Sequence, residues 1–372
     1  MATPKSIALA CGGTAGHVYP ALALADAYGE SHPGTELLFI GTPAGIESKL
    51  VPAHGYRLEL VPGEPFAREP IAGKLRAIGS LLAGTVAARR LLKKNRVELL
   101  VAFGGYATAG TVAAARSLGI KIALHEANVE PGLTNRFLAR LADRIYLAFD
   151  ATRSAFDASA VVVGNPVRRD IVRAGVTRRQ QPHRAATTAR FLITGGSGGS
   201  NFLNREVPSL LHNIAERGIA PDILHQAGDF PLTPIRTVYE RLGMQATITD
   251  YIKDIASAYE RSDFVIACGG SQTLSEISVC GLPCLIVPLA DAAAGHQVAN
   301  ALAFADAGDH LWSTEENWDA AWLAAKIVDR LRENRGASTV ALGMIDAAAK
   351  MIADLDMMLE NEKRLLNRSS RS

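Results

Sequence analysis

Short, unbroken apolar runs recur along the chain, separated by stretches of helical periodicity. Ser6–Ala10, Glu36–Ile40, Glu98–Phe103, Lys121–Leu124 and Ala160–Val163 come first; Arg190–Thr194, Asp222–Gln226, Phe264–Ala267 and Cys284–Pro288 continue the series. Each has strand length and little polar alternation, which is the pattern of strands covered on both faces in a parallel sheet. Between them, Ile71 to Arg96 reads as an amphipathic helix with Leu75, Ile78, Leu82 and Val86 on one face, and Asn201 to Glu216 reads as another helix. Strands alternating with helices predict an α/β fold. The rhythm restarts after residues 173–190, which are rich in Arg, Gln and Thr and contain Pro182 and His183. We expect two Rossmann-like domains facing one another across a cleft: residues 1–168, a linker and surface loop over 169–189, and a second domain over 190–345. A C-terminal helix at about 346–365 is expected to pack back on the first domain, and residues 363–372 to fray.

Glycines stand where strands hand over to helices. Phe264–Ala267 stops at Gly269-Gly270; Ser271 and Thr273 then sit where a helix begins, with Glu276 in its first turns and Gly281-Leu282-Pro283 at its end. After Cys284–Pro288, an Ala/Gly loop leads to His296-Gln297-Val298-Ala299-Asn300 and another helix. Ser271, Thr273, Glu276, Gln297 and Asn300 therefore lie beyond the C-terminal ends of neighbouring strands, where open α/β sheets bind ligands. Free N–H groups and the positive end of the helix dipole suit an anion there, and a carboxylate can hold a ribose diol. An ordinary capped βαβ unit without a ligand would show the same signals.

Similar turns follow Ser6–Ala10 (Cys11 to Pro20), Glu98–Phe103 (Gly104 to Gly110) and Arg190–Thr194 (Gly195 to Ser200). The glycines at 12, 13 and 16 do not have G-x-G-x-x-G spacing, and the turn lacks the Lys of a P-loop. His17 on that turn is either structural or a general base. His125-Glu126-Ala127-Asn128 and Gly164-Asn165-Pro166-Val167-Arg168 likewise follow strands, where polar residues would be costly to bury unpaired.

The 372 residues carry 39 Lys and Arg against 37 Asp and Glu, a balance that argues against nucleic acid as a partner. Cys11, Cys268, Cys280 and Cys284 lack metal-ligand spacing and read as reduced core residues of a cytosolic protein. No apolar run nears the roughly 20 residues of a spanning helix, and no signal-peptide pattern opens the chain. The cations Arg89, Arg90, Lys93, Lys94 and Arg96 close the helix begun at Ile71. They fit a solvated helix end packed on its sheet, the reading the sequence favours, or a patch for anionic lipid.

Taken together, GGTAGHVYPALALA, AFGGYATAG, LHEANVEPGLTNRFLA, VVGNPVR, TGGSGGSNFLN, YIKDIASAY, GGSQTLSE and HQVANA, in this order, resemble glycosyltransferase family 28 over nearly the whole chain. Three departures stand out: Ala15 replaces a glycine, Gly110 replaces a proline, and Ala267-Cys268-Gly269-Gly270-Ser271-Gln272 replaces an Arg-(Ser/Ala)-Gly-Ala run. The resemblance implies a GT-B fold. It implies inverting transfer of N-acetylglucosamine from UDP-N-acetylglucosamine to undecaprenyl-linked lipid I, at the cytoplasmic face of the cell membrane, for peptidoglycan and hence cell shape and division. It implies that Ser197 meets the diphosphate, Ile252 backbone groups the uracil and Glu276 the ribose, with Ser271, Gln272, Thr273, Leu274 and Ser275 completing the pocket. Gln297 and Asn300 would face the sugar hydroxyls. Asn128 and Arg168 would reach across the cleft, and Thr14, Ala15 and Gly16 would face donor and acceptor. His17 or Glu126 would be the base, with His125 as a partner for Glu126. Arg89, Arg90, Lys93 and Lys94 would meet anionic lipid. No Asp-x-Asp motif is positioned for a metal, and no cofactor is implied. A related transferase acting on another glycolipid or a secondary metabolite, and an epimerase-like nucleotide-sugar protein, remain as alternatives.

Overall fold

The computed structural model describes residues 6–64, 71–156, 159–180, 187–290, 295–308, 310–333 and 344–369; side chains are not described at residues 71–76, 106, 344 and 362–369. The chain divides into two compact units, residues 1–168 with 343–372, and residues 169–342.

The first unit holds β1 (Ser6–Ala10), β2 (Glu36–Gly41), β3 (Arg57–Leu60), β4 (Leu99–Ala102), β5 (Lys121–Glu126), β6 (Arg144–Leu147) and β7 (Ala160–Val162). They form a parallel sheet in the order β3-β2-β1-β4-β5-β6-β7. Its helices are α1 (Ala15–Ser31), α2 (Glu47–Ala53), α3 (Ile71–Lys94), α4 (Tyr106–Ser117) and α5 (Leu133–Leu138). Unbroken apolar strands do what their pattern requires and bury both faces. Ile7, Leu9, Leu99 and Val101 pack against Leu22 and Leu24 of α1, whereas Ala8, Ala10, Leu100 and Ala102 pack with Ala88 and Leu92 of α3 and Val112 of α4.

The second unit opens with α6 (Arg169–Gln180) and contains β8 (Thr188–Thr194), β9 (Ala220–Gln226), β10 (Thr247–Thr249), β11 (Phe264–Ala267), β12 (Cys284–Ile286) and β13 (Leu311–Trp312). Their order is β10-β9-β8-β11-β12-β13, again parallel. Its remaining helices are α7 (Asn201–Glu216), α8 (Leu232–Arg241), α9 (Ile255–Arg261), α10 (Ser271–Cys280), α11 (His296–Gly308) and α12 (Ala320–Arg332). A last helix, α13 (Ala347–Ser369), belongs to the first unit, where Met351, Leu355 and Leu359 join the core beside Leu22. Each such fully buried side chain contributes roughly 1.5–3 kcal/mol to holding it there.

Two expectations change. Residues 169–180, expected as linker, form α6 and pack on α9 and α10. The reason is local: Ile171, Ala174 and Gly175 bury one face, while Arg178 and Arg179 donate to the carbonyls of Ser262 and Val279 at 3.1 and 2.6 Å. The run of cations that looked like linker composition is therefore tied to backbone acceptors; residues 181–186, with Pro182 and His183, lie outside the described residues. The second change concerns α3. Ile78, Leu82 and Val86 are 43%, 64% and 51% exposed, and the helix packs instead through Ala77, Ala88 and Leu92; the side chain of Leu75 is outside the described set. Small residues let α3 approach its neighbours and turn the larger apolar ones outward.

Candidate functional site

In each sheet the strand order reverses beside the first strand of its unit, between β1 and β4 and between β8 and β11. Connections leave in opposite directions at such points and open a crevice beyond the strand ends. The glycine turns after β1, β4, β8 and β11 all lie there.

In the first unit, α1 starts at Thr14 without a side-chain cap, so the Ala15 and Gly16 N–H groups are left for a ligand or water. Thr14 is exposed, and Ala15, Gly16 and His17 are half-buried. The Nδ1 of His17 lies 2.9 Å from the Gly12 carbonyl, with the Thr14 hydroxyl at 3.4 Å. A carbonyl only accepts, so Nδ1 carries the hydrogen and Nε2 keeps its lone pair. That nitrogen faces Gly104, whose φ is +105° and where an added β-carbon would stand 2.9 Å from Nε2. A glycine there keeps the basic side of the imidazole clear.

Glu126 is held differently. It is buried, and its Oε1 accepts the backbone N–H and side-chain amide of Asn128 at 2.9 and 3.1 Å. Its Oε2 accepts the Gly132 N–H and the Asn135 amide at 3.1 and 2.9 Å. Four donors occupy the carboxylate and tie the loop after β5 to the start of α5. His125 is not its partner: the ring turns to the Gly164 carbonyl at 3.3 Å and packs on Phe103. Burial holds the His125 pKa down at about 4, with the nearby His17 adding to the shift. Arg168 lies over the Tyr19 ring, 4.7 Å from its centroid, within its own unit.

In the second unit, the exposed Ser197 and Gly198 crown the turn before α7, and Ser200 caps that helix by accepting the Leu203 N–H at 3.2 Å. The helix α10 follows Gly270 with no side-chain cap, and the positive end of its dipole suits an anion. Glu276 is 7% exposed; its Oε2 accepts the Tyr259 hydroxyl and its Oε1 the Gln272 amide, both at 3.1 Å. Thr273 is half-buried, Ser271 and Gln272 are nearly buried, and Leu274 and Ser275 have no exposed surface. Those last two are buried residues of α10. Ile252, Gln297 and Asn300 have hydrogen-bond partners within the chain. The Ile252 N–H is taken by Gln226 Oε1 at 2.9 Å. Gln297 Oε1 accepts the N–H groups of Gly269 and Leu289 at 3.1 and 3.0 Å, bridging the turns after β11 and β12. Asn300 is wholly buried and donates to the Gly269 carbonyl at 3.1 Å. These polar groups shape the turns from behind.

Sequence reading passed over Glu47, which anchors the first glycine turn, and Gln226, which donates to the Gly196 carbonyl at 2.8 Å while holding Ile252. The signals were present: glycines at 41 and 45 flank the segment leading to Glu47, and Gln226 ends its strand as His125-Glu126 end theirs. The four cysteines are free and buried, and burial pushes the thiols of Cys268 and Cys280 up to about 12, which leaves them unsuited to act as nucleophiles.

Two domain families match the chain: the glycosyltransferase family 28 N-terminal domain over residues 7–147 and the family's C-terminal domain over residues 190–355. A relative from Geotalea uraniireducens (strain Rf4), a UDP-N-acetylglucosamine–N-acetylmuramyl-(pentapeptide) pyrophosphoryl-undecaprenol N-acetylglucosamine transferase, is 33% identical over 356 residues, 93% of this chain and 96% of its own. The chain belongs to glycosyltransferase family 28. The crystal structure of Acinetobacter baumannii MurG matches with a TM-score of 0.75 at 26% identity, over 95% of this chain and 99% of that one. A UDP-N-acetylglucosamine 2-epimerase structure also matches, with a TM-score of 0.62 at 13% identity over 97% of this chain and 98% of that one, and shares the fold alone. The two parallel-sheet units are thus the Rossmann-like domains of a GT-B hexosyltransferase.

Proposed function

We propose that the protein transfers N-acetylglucosamine from UDP-N-acetylglucosamine to undecaprenyl-pyrophosphoryl-muramoyl-pentapeptide, with His17 as the general base. The observation that carries the choice of base is the 2.9 Å contact of His17 Nδ1 with the Gly12 carbonyl, which assigns the hydrogen of a neutral ring to Nδ1 and its lone pair to Nε2. Glu126, the other candidate, has its oxygens engaged by four donors and organises its loop. In the transfer step the acceptor hydroxyl oxygen bonds to the anomeric carbon from the face opposite the leaving group. Its proton passes to Nε2, and the bond from the anomeric carbon to the UDP oxygen breaks with inversion. Negative charge grows on the departing diphosphate. The turn carrying Ser197 and the uncapped start of α10 offer it N–H groups and positive dipole ends. Glu276, nearly buried and steadied by Tyr259 and Gln272, suits the ribose diol.

The lipid-linked acceptor fits a membrane-surface enzyme. Among the described residues no helix is long and apolar enough to cross a bilayer. Instead α3 exposes Ile78, Leu82 and Val86 ahead of Arg89, Arg90, Lys93 and Lys94, all four of them exposed, and α5 exposes Leu133 and Phe137. Apolar side chains beside a basic cluster favour the surface of an anionic leaflet. Peripheral attachment at the cytoplasmic face and a part in cell-wall assembly, and so in cell shape and division, follow from that acceptor.

The test of the base is turnover of His17→Ala and Glu126→Gln with both substrates saturating. Loss of a general base costs about 10²–10⁴-fold in kcat, and the His17 variant should show it with donor affinity unchanged. Near-normal turnover of His17→Ala with loss in Glu126→Gln would reverse the assignment.

A further inference from the structure

Glu47 has no exposed surface and takes no part in the chemistry assigned above. Its Oε1 accepts the Thr42 N–H at 2.8 Å and the Thr42 hydroxyl at 2.9 Å, and its Oε2 accepts the Gly13 N–H at 2.9 Å. Three glycines clear the space it fills, because a β-carbon on Gly12, Gly41 or Gly45 would run into this carboxylate side chain. Burying a carboxylate is costly, and a merely structural filler would not need its charge. The Gly13 N–H belongs to the same peptide group as the Gly12 carbonyl, and that carbonyl accepts the His17 Nδ1–H at 2.9 Å. Carboxylate, peptide and imidazole therefore stand in one hydrogen-bonded line.

We propose that Glu47 is a positioning residue for His17, acting through the Gly12–Gly13 peptide to fix its tautomer and raise the basicity of Nε2. The proposal rests on His17 being the base. A carboxylate drawing on an amide N–H favours the charge-separated resonance form of that amide, so negative charge builds on the carbonyl oxygen. That oxygen faces Nδ1–H and stabilises the imidazolium formed when Nε2 takes the acceptor proton. In Ser-His-Asp sites the carboxylate touches the imidazole directly; here one peptide group stands between them. The balance is simple: one proton moves from the acceptor hydroxyl to Nε2, Nδ1 keeps its own, and none reaches Glu47. Among the described residues, two other titratable groups lie close to this line. The Cys11 thiol is pushed up by burial and then by Glu47, and His125, near His17, is held down at about 4 by burial. Both are neutral at neutral pH, so neither supplies the charge that the line carries to His17.

The experiment is the pH profile of kcat for wild type, Glu47→Gln and Glu47→Asp at saturating substrates, alongside thermal melts and UDP-N-acetylglucosamine affinity. A base must be unprotonated to work, so activity rises with pH along an acid limb. Glu47→Gln should lower the plateau by roughly 10–100-fold, the range for losing the group that orients a histidine. It should also move the acid limb to lower pH, because the imidazolium has lost its support, while donor affinity stays within about twofold. Glu47→Asp keeps the charge but withdraws it from Gly13 and should fall between the two; it carries the test if the Gln variant does not fold. An acid limb at the wild-type position in whichever variant folds overturns the proposal. His17→Ala separates the two levels. If it keeps turnover and the limb, the assignment of the base is what fails. If it abolishes turnover while the Glu47 variants keep the limb, the relay alone fails.

Discussion

Gln226 and Ile252 are joined by a 2.9 Å hydrogen bond from the Ile252 N–H to the Gln226 side-chain oxygen. The amide nitrogen of the same glutamine donates to the Gly196 carbonyl at 2.8 Å. One nearly buried side chain thereby clips the glycine turn after β8 to the loop after β10, two segments that the proposed donor pocket needs in register. Gln226→Ala leaves the buried Ile252 N–H without its partner, a loss of about 1–3 kcal/mol, and removes one of the two donors to the Gly196 carbonyl, which keeps the Gly199 N–H at 3.2 Å. Part of that should appear in binding: UDP affinity by calorimetry should fall about tenfold or more. Unchanged affinity would mean that the clip serves stability alone.

Glu276 offers a separate handle on the donor. Glu276→Ala should weaken UDP-N-acetylglucosamine binding by about 1.5–3 kcal/mol, the range for a hydrogen bond to a charged group. Tyr259→Phe removes one of the donors that hold the carboxylate and should weaken binding less. Calorimetry on both variants checks the order; a Tyr259 variant that binds worse than Glu276→Ala would remove the carboxylate from the ribose.

For the membrane, the exposed stripe on α3 allows two independent changes. Neutralising Arg89, Arg90, Lys93 and Lys94 should abolish binding to anionic vesicles at moderate salt, since each cation contributes roughly 1 kcal/mol near such a surface. Leu82→Glu with Val86→Glu should also reduce sedimentation with vesicles, and should do so at high salt, where charge is screened. Turnover of a short-chain soluble acceptor should survive both. Equal sedimentation of wild type and variants would discard α3 as the contact.

Stability should fall on mild acidification. His125 in the first unit and His225 in the second are both buried, and burial lowers each pKa from 6.5 to about 4. The unfolded chain therefore binds more protons than the folded one between those values. The stabilising contribution is complete above pH 6.5 and is lost as pH drops toward 4. At its largest the loss is on the order of 3 kcal/mol per histidine. Melting temperatures from pH 7 to 4 check this, and His225→Gln should flatten the dependence for the second unit. A melting temperature that does not move between pH 6.5 and 4 would contradict it.

The architecture was legible because apolar strand runs and glycine turns are local signals: β8, α7, β11 and α10 lie where apolar pattern and glycine breaks put them. What escaped is what depends on contacts distant in sequence. The α6 segment looked like linker because its arginines read as solvated, yet they find carbonyls 84 and 100 residues away. The apolar face of α3 looked like a packing face, but periodicity cannot say which way a face turns when Ala77 and Ala88 permit closer approach. At the candidate site, residue type and strand-end position single out His17, Glu126 and Glu276. They could not give the partners within the chain that hold the Ile252 N–H, the Gln297 side-chain oxygen and the Asn300 amide.

The most direct measurement is the product itself. The protein is incubated with UDP-N-acetylglucosamine labelled in the sugar and an undecaprenyl-pyrophosphoryl-muramoyl-pentapeptide analogue, and the products are analysed by mass and by the coupling constant at the new anomeric carbon. The expected result is one N-acetylglucosamine added per acceptor in the inverted configuration, with one UDP released for each transfer and none released without acceptor. Conversion of the donor to its 2-epimer, or UDP release that ignores the acceptor, would contradict the assigned function.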